Sequence, residues 1–186
     1  MQTFLPYSDF TLCSHTLDRD RCWKQVVQAR CILDILLGRK IIKNWKNHPA
    51  VRMWYSYEPA LQQYYNTFYD FSVSHHGIKP KKLFREEITS NIVLPAWLGY
   101  PPLHYSHQSN LYRKALDDSN GINSMGNSKR SSSTLLKHLE KLNLTNIDYM
   151  LKYVWPIDMR GNLIPEIKDW LIQGSNTNAE RFKAMS

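Results

Sequence analysis

The chain has no long apolar run and no recognisable leader. Its 186 residues include no stretch of about 18 consecutive apolar residues, which argues against a transmembrane helix. Residues 1–10 contain Pro6 and Asp9 and lack the apolar stretch of a secretory signal peptide. We therefore expect no membrane association and no secretion.

Cysteine is scarce and odd in number, with Cys13, Cys22 and Cys31. Cys22 and Cys31 fall in one predicted helix, nine residues and roughly 13 Å of rise apart, so they cannot form a disulfide with each other. Reduced, structural cysteines are typical of an intracellular compartment.

Several sequence patterns of catalysis are also missing. There is no phosphate-binding glycine loop, no serine–histidine–aspartate pattern and no spaced carboxylate pair, since Glu86 and Glu87 are adjacent and would diverge on a helix. His104 and His107 are three residues apart, but no third ligand has a suitable spacing. We therefore expect no metal site.

Positive charge is abundant instead. The chain has 24 Lys and Arg against 16 Asp and Glu, a formal net charge of +8. Such a surplus favours a polyanionic partner, with nucleic acid ahead of a membrane surface. The alternative is that the charge serves solubility alone.

The apolar pattern predicts an all-α protein. Alternating strand patterns are nearly absent, and Pro and Gly punctuate helical ones. We expect a compact single-domain helical bundle with long loops over residues 1–156, including a flexible basic loop at 117–134, and a C-terminal extension at 157–186. Within it, residues 1–16 form an extended arm, and the predicted helices run from Asp18 or Asp20 to about Leu37, from Pro49 with a break at Pro59, from Pro102 to about Leu116, within 135–151, and over 164–172.

Three polar clusters could bind DNA. Arg21, Lys24, Gln25 and Gln28 follow an i, i+3, i+4, i+7 spacing and share one helix face, which could grip phosphates or a base edge. The alternative is an ordinary solvated face. The second cluster lies near a helix start, which could cradle a phosphate or simply pack as a loop; it comprises Trp45 to Pro49 with Arg52 and Trp54. The third cluster is suited to phosphate contact and comprises His104, His107, Asn110, Arg113 and Lys114.

The order of these motifs resembles a known family. It resembles a bacterial and viral branch of the pyrimidine-dimer DNA glycosylases, the group related to phage endonuclease V, from Met1 to Pro156 apart from the 117–134 loop. The segments that carry the resemblance are MQTFLPYSDF, LDRDRCWKQVVQARCIL, WKNHPAVRMW, LPAWLG, LHYSHQSNLYRK and YVWP.

The resemblance implies a bundle of about three helices and a DNA repair function on duplex DNA, with neither metal nor cofactor. The family removes a damaged pyrimidine base and nicks the strand as an abasic-site lyase, after extruding a nucleotide from the duplex. An N-terminal amine forms a Schiff base at the sugar, assisted by a glutamate. An intracellular site, cytoplasmic or at the nucleoid, would follow, with viral origin as an alternative.

Carried over residue by residue, the resemblance assigns catalysis to Met1 and to position 28. The glutamine at position 2 should protect Met1 from removal, so that the amine would belong to Met1. The residues expected to contact DNA or shape the lesion pocket are Gln2, Arg21, Lys24, Gln25, Asn47, His48, Arg52, His104, His107, Arg113, Lys114 and Trp155.

Position 28 departs from the family, because the expected glutamate is a glutamine. Gln28 admits three interpretations: a natural loss of activity, an engineered Glu→Gln change, or an alignment in which another group acts. Whether the chain is an enzyme is therefore open. The alternatives are a non-catalytic DNA-binding or DNA-packaging protein on the same scaffold, and a protein-interaction module whose aromatic second helix faces a partner.

Overall fold

The computed structural model describes residues 2–40, 45–119 and 151–173. Met1 and residues 41–44, 120–150 and 174–186 lie outside the described part. The predicted helix within 135–151 and most of the predicted loop at 117–134 therefore fall on residues that are not described.

Helices account for the regular structure of the described residues, apart from one antiparallel bridge between Ile157 and Leu163. The all-α prediction is confirmed. None of the described helices has the length and apolar character needed to cross a membrane. The helices are α1 (Phe10–His15), α2 (Arg19–Leu36), α3 (Pro49–Arg52), α4 (Glu58–Ser74), α5 (Pro101–Ser119) and α6 (Pro165–Gln173).

Aspartate side chains begin the first two helices. The Asp9 carboxylate accepts the Leu12 N–H at 2.8 Å, and the Asp18 carboxylate accepts the Arg21 N–H at 2.9 Å. Both satisfy backbone donors that a helix start leaves free. The α2 bounds agree with the sequence prediction, whereas α1 corrects it, because residues 10–15 were expected to be extended.

Pro59 divides the predicted second helix in two, as expected. α3 begins at Pro49 behind the N-cap His48, and Pro59 lies in the first turn of α4. Proline lacks an N–H and is tolerated in the first turn of a helix but not in its interior. The break lets the chain turn between two helices that both reach the core.

The core lies mainly between α2 and α4, which pack along their lengths. Tyr64 and Phe68 of α4 are fully buried, so the aromatic face of this helix meets the core and gives no support to the protein-interaction hypothesis. Leu5, near the chain start, is fully buried as well. Ile167 and Leu171 of α6 join the same core, while the domain boundary at residue 156 stays a prediction.

Residues 77–95 follow α4 without helix or strand, and Glu86 anchors them. Its carboxylate accepts two hydrogen bonds from Arg39, at 2.7 and 2.8 Å, and one from Arg30 of α2 at 2.6 Å. Its backbone exchanges two 2.8 Å hydrogen bonds with the side chain of Asn66 in α4. Charge-assisted pairs of this kind are strong, so the segment is fixed against α2 and α4.

Candidate active site

The first residues of the chain form an N-terminal arm, residues 2–7, which is held by side chains of α2, α4 and α5. Gln25 Oε1 of α2 accepts the Phe4 N–H at 2.9 Å. The Tyr64 hydroxyl of α4 lies 3.1 Å from the Phe4 carbonyl oxygen and 3.0 Å from Gln25 Oε1. Gln25 is only 1% exposed. Its amide is thus directed to the arm and not to solvent, and contact of this side chain with DNA stays a prediction.

Two histidines of α5 hold both backbone groups of Leu5. His104 Nδ1 donates to the Leu5 carbonyl oxygen at 2.7 Å, and its Nε2 accepts the Gly99 N–H at 3.0 Å. His107 Nδ1 accepts the Leu5 N–H at 3.3 Å. Burial lowers the pKa of His104, and burial lowers the pKa of His107 to about 3. At neutral pH both imidazoles are therefore uncharged hydrogen-bonding groups for the arm.

This arrangement predicts a loss of stability in mild acid. Histidine in the unfolded chain has a pKa near 6.5, so below that pH the unfolded chain binds a proton at position 107 that the buried imidazole of the folded chain does not bind. Stability is therefore fully present above pH 6.5 and falls as the pH drops towards 3, by up to about 1.4 kcal/mol per pH unit for this one group. Urea unfolding between pH 7 and pH 5 measures the slope.

A His107→Gln variant should show a shallower slope, because its amide oxygen can still accept the Leu5 N–H without titrating. His15→Gln, which alters an exposed imidazole, provides the control and should keep the wild-type slope. Equal slopes for all three proteins would mean that His107 is not the group responsible.

Gln28 of α2 lies beside the start of the arm. Its Oε1 accepts the N–H of Gln2 at 3.2 Å. The structure therefore brings position 28 next to the second residue of the chain, across 26 residues of sequence. Met1 itself lies outside the described residues, so its predicted role is not tested by this geometry.

A positively charged side chain flanks the same arm. Lys114 Nζ of α5 lies 4.5 Å from the centroid of the Phe4 ring and 3.1 Å from the hydroxyl of Tyr153. The rings of His107 and Tyr153 pack edgewise on Phe4 at 5.9 and 6.2 Å. An ammonium over an aromatic ring is attracted by the electrons of its face. The result is a cationic and aromatic wall next to the chain start.

The second predicted cluster gathers around His48. Its Nδ1 accepts the Ala50 N–H at 3.1 Å and so caps α3. The Trp45 ring stacks on the imidazole at 5.9 Å, and Trp155 meets it edgewise at 6.2 Å. Burial lowers the pKa of His48, which favours a neutral ring. Arg52, at the end of α3, donates to the Met159 carbonyl oxygen.

The remaining predicted DNA contacts are more dispersed. Arg21 pairs with Asp18 at 2.5 Å at the start of α2. Lys24 and Asn47 are exposed. Arg113 of α5 donates to Asn110 Oδ1 of the same helix. The structure thus gathers Gln25, Gln28, His104, His107 and Lys114 around the arm, of which Gln2 is part, and His48 with Trp155 around α3.

Some residues that hold the arm were not predicted from the sequence. Besides Tyr64, Trp54 Nε1 donates to Thr3 Oγ1 at 3.1 Å, and Gln108 Nε2 donates to the Pro6 carbonyl oxygen at 2.7 Å. A usable signal existed for the aromatic residues, since a buried Tyr or Trp normally finds a hydrogen-bond partner. The sequence does not reveal that the partner is the arm.

The side chains that bond to the described part of the arm are amides, imidazoles, aromatic donors and the Cys13 thiol, which donates to the Tyr7 carbonyl oxygen at 3.1 Å. None of them is a carboxylate. The buried carboxylates of Asp34 and Glu86 instead pair with Arg30 on another flank of α2. Within the described ranges, no three His, Cys, Asp or Glu side chains are grouped to hold a metal ion.

Fold and site together define a helical protein whose residues 2–7 are fixed against the bundle, with Gln2 beside position 28. Residues 1–85 match the sequence model of the pyrimidine dimer DNA glycosylase family, which confirms the resemblance over this part of the chain. The family is one of DNA repair enzymes and its substrate is DNA. No curated protein and no solved structure is significantly similar to the chain. The resemblance of residues 86–156 and the bacterial or viral branch stay predictions.

Proposed function

We propose that the chain acts on damaged pyrimidines in duplex DNA as a DNA glycosylase and abasic-site lyase, with Gln28 limiting its activity. One observation carries the proposal: the Gln2 N–H donates to Gln28 Oε1 at 3.2 Å. The family's glutamate aligns with position 28, and this contact supports that alignment. Met1 is bonded directly to Gln2, and adjacent Cα atoms are about 3.8 Å apart. The α-amine of Met1 is therefore only a few ångströms along the chain from the Gln2 N–H that contacts Gln28.

The proposed reaction uses the α-amine of Met1 as the nucleophile. Its nitrogen lone pair attacks C1′ of the deoxyribose as the bond from C1′ to the base breaks and the base leaves with a proton. Loss of the amine proton and opening of the sugar ring give an imine. Removal of a C2′ proton then expels the 3′ phosphate, which breaks the strand. An α-amine has a low pKa among amines and is partly neutral near pH 8, as the attack requires.

The arm contacts are suited to position such a nucleophile. Gln25, Tyr64, His104 and His107 hold the backbone of Phe4 and Leu5 on both sides. In the proposed mechanism these are positioning residues, which fix the chain start without touching the sugar. Holding a reacting group in place removes much of the entropic cost of the reaction.

Gln28 in place of a glutamate is expected to slow the base-removal step. An amide can accept the Gln2 N–H as a carboxylate would, but it cannot take a proton or offer a full negative charge to a developing sugar cation. Base removal depends on that charge, whereas imine formation at an existing abasic aldehyde needs the amine alone. We therefore expect the abasic-site reaction to survive better than dimer excision.

Borohydride trapping tests the proposal. A duplex with one abasic site is incubated with the protein and borohydride, which reduces an imine to a stable amine and leaves a covalent band on a denaturing gel. The proposed amine gives this band. An intact duplex is the control and should give none. Tight duplex binding without any band on abasic DNA would remove the lyase function.

Gln28 also favours a second candidate, a DNA-binding or DNA-packaging protein that has lost catalysis on the same scaffold. This candidate predicts sequence-independent binding that weakens steeply with salt, because phosphate contacts release counterions. It predicts no covalent band on abasic DNA. The trapping experiment therefore separates the two candidates.

A further inference from the structure

Residues 79–85, here called the basic segment, concentrate positive charge at the surface outside the proposed active site. Phe84 within the segment is 70% exposed. Arg85 makes an ion pair with Asp70 at 3.1 Å, in which both side chains are at least half exposed. The exposed cations of the segment are Lys79, Lys81, Lys82 and Arg85.

The backbone of the basic segment is held in place. The Tyr65 hydroxyl donates to the Phe84 carbonyl oxygen at 2.8 Å, and the Tyr69 hydroxyl donates to the Leu83 carbonyl oxygen at 3.2 Å. Glu86, the next residue, is fixed by its arginine partners. A surface whose backbone is already ordered loses less conformational entropy when a partner binds.

α2 sets the N-terminal arm and the basic segment on two flanks of one exposed ridge. Gln28 contacts the arm, and Arg30 contacts Glu86 directly after the segment. Residues two positions apart on a helix, such as Gln28 and Arg30, differ by about 200° of rotation, or about 160° the shorter way round. Lys24 and Val27 lie within that shorter arc and are exposed, so the ridge is open to solvent along this part of α2. Asp34, further along the helix in the same arc, is buried and paired with Arg30 and Lys40.

We infer that the basic segment is a second phosphate-contacting surface for the duplex that reaches the arm, an inference that rests on the proposed function. The flanks of a helix are about 10–12 Å apart, comparable with the width of the major groove, about 12 Å. A duplex seated at the arm and across the ridge therefore brings backbone phosphates to the segment. Lysine is well suited to this contact as a point charge.

The test compares two charge-matched double variants. Lys81→Ala/Lys82→Ala removes two charges from the basic segment, and Lys168→Ala/Lys183→Ala removes two from the C-terminal part of the chain. Affinity for an undamaged duplex is measured by fluorescence anisotropy over a range of salt. The slope of log affinity against log salt should fall by about 1.8 in the first variant, at 0.9 per phosphate contact, with a roughly tenfold or greater loss at 0.1 M salt.

The control variant should keep a slope close to that of the wild type. An unchanged slope in the segment variant, or an equal loss in the control, would overturn the inference. So would a segment variant that keeps duplex affinity but loses binding to phosphatidylserine vesicles, because the segment would then serve a membrane surface. Borohydride trapping is scored separately: a wild-type protein that binds with the predicted slope but never traps contradicts the proposed function alone.

Discussion

Introducing a carboxylate with Gln28→Glu should raise cleavage of a duplex that carries a pyrimidine dimer by about 10²–10⁴-fold, the usual contribution of a positioned proton-transfer group. Glutamate has the same length as glutamine, and its oxygen can accept the Gln2 N–H that Gln28 Oε1 accepts at 3.2 Å. The substitution therefore supplies a charge and a proton acceptor without removing the contact at the chain start. Strand nicking of a labelled dimer duplex gives the rate.

Gln63→Glu is the matched control for this prediction. It is the same change of residue type and alters the net charge by the same amount, and Gln63 is exposed on α4. Gln63 lies beside residues 92–94, outside the arm and the ridge of α2, so dimer cleavage should stay at the wild-type level. A gain in both variants would point to a general effect of charge. A gain in neither would mean that another group, or no group, performs the step assigned to position 28.

Much of the fold was predictable because its signals are local. α2 begins behind Asp18 and follows the apolar spacing that predicted it. α4 begins at Glu58 with Pro59 in its first turn, because a proline must interrupt a helix that would run through it. α1 was missed, although Asp9 caps it, because only six residues form it. Short helices depend on tertiary packing more than on their own sequence, and Phe10 and Cys13 of α1 are buried in the core.

The candidate site was predictable in part. The resemblance assigned catalysis to Met1 and position 28, which predicts that the two lie close together, and the structure places Gln28 against Gln2. The helical spacing also placed Gln25 on one polar face of α2 as a surface residue, but it is buried. The spacing within a single helix cannot show that the arm covers one edge of this face, because the arm comes from another part of the chain.

The two histidines of α5 show the same limit from the other direction. His104 and His107 stand among cations in the sequence, which favoured phosphate contact. In the fold they are buried, and each bonds to Leu5. A buried imidazole with a lowered pKa is a neutral hydrogen-bonding group. Nearby cations in the sequence therefore said little about the role of these rings, since burial determines the charge.

Placing one glycine ahead of Met1 should abolish borohydride trapping on abasic DNA, a loss of at least about 10²-fold. The extra residue moves the α-amine by up to about 3.5 Å, and a displacement of 1 Å in a reacting group can cost about 10² in rate. The hydrogen bonds that hold Phe4 and Leu5 do not involve the added residue. The fold should therefore persist, as urea unfolding would verify.

A glycine added after Ser186 is the matched control and should leave the trapped band unchanged. Both extended proteins should bind an intact duplex with wild-type affinity, because the phosphate contacts remain. If the N-terminally extended protein still forms the band, the α-amine is not the nucleophile and a lysine side chain must form the imine. Mass spectrometry of the reduced adduct would then identify that lysine, and Lys114, packed on Phe4 beside the chain start, is the first residue to examine.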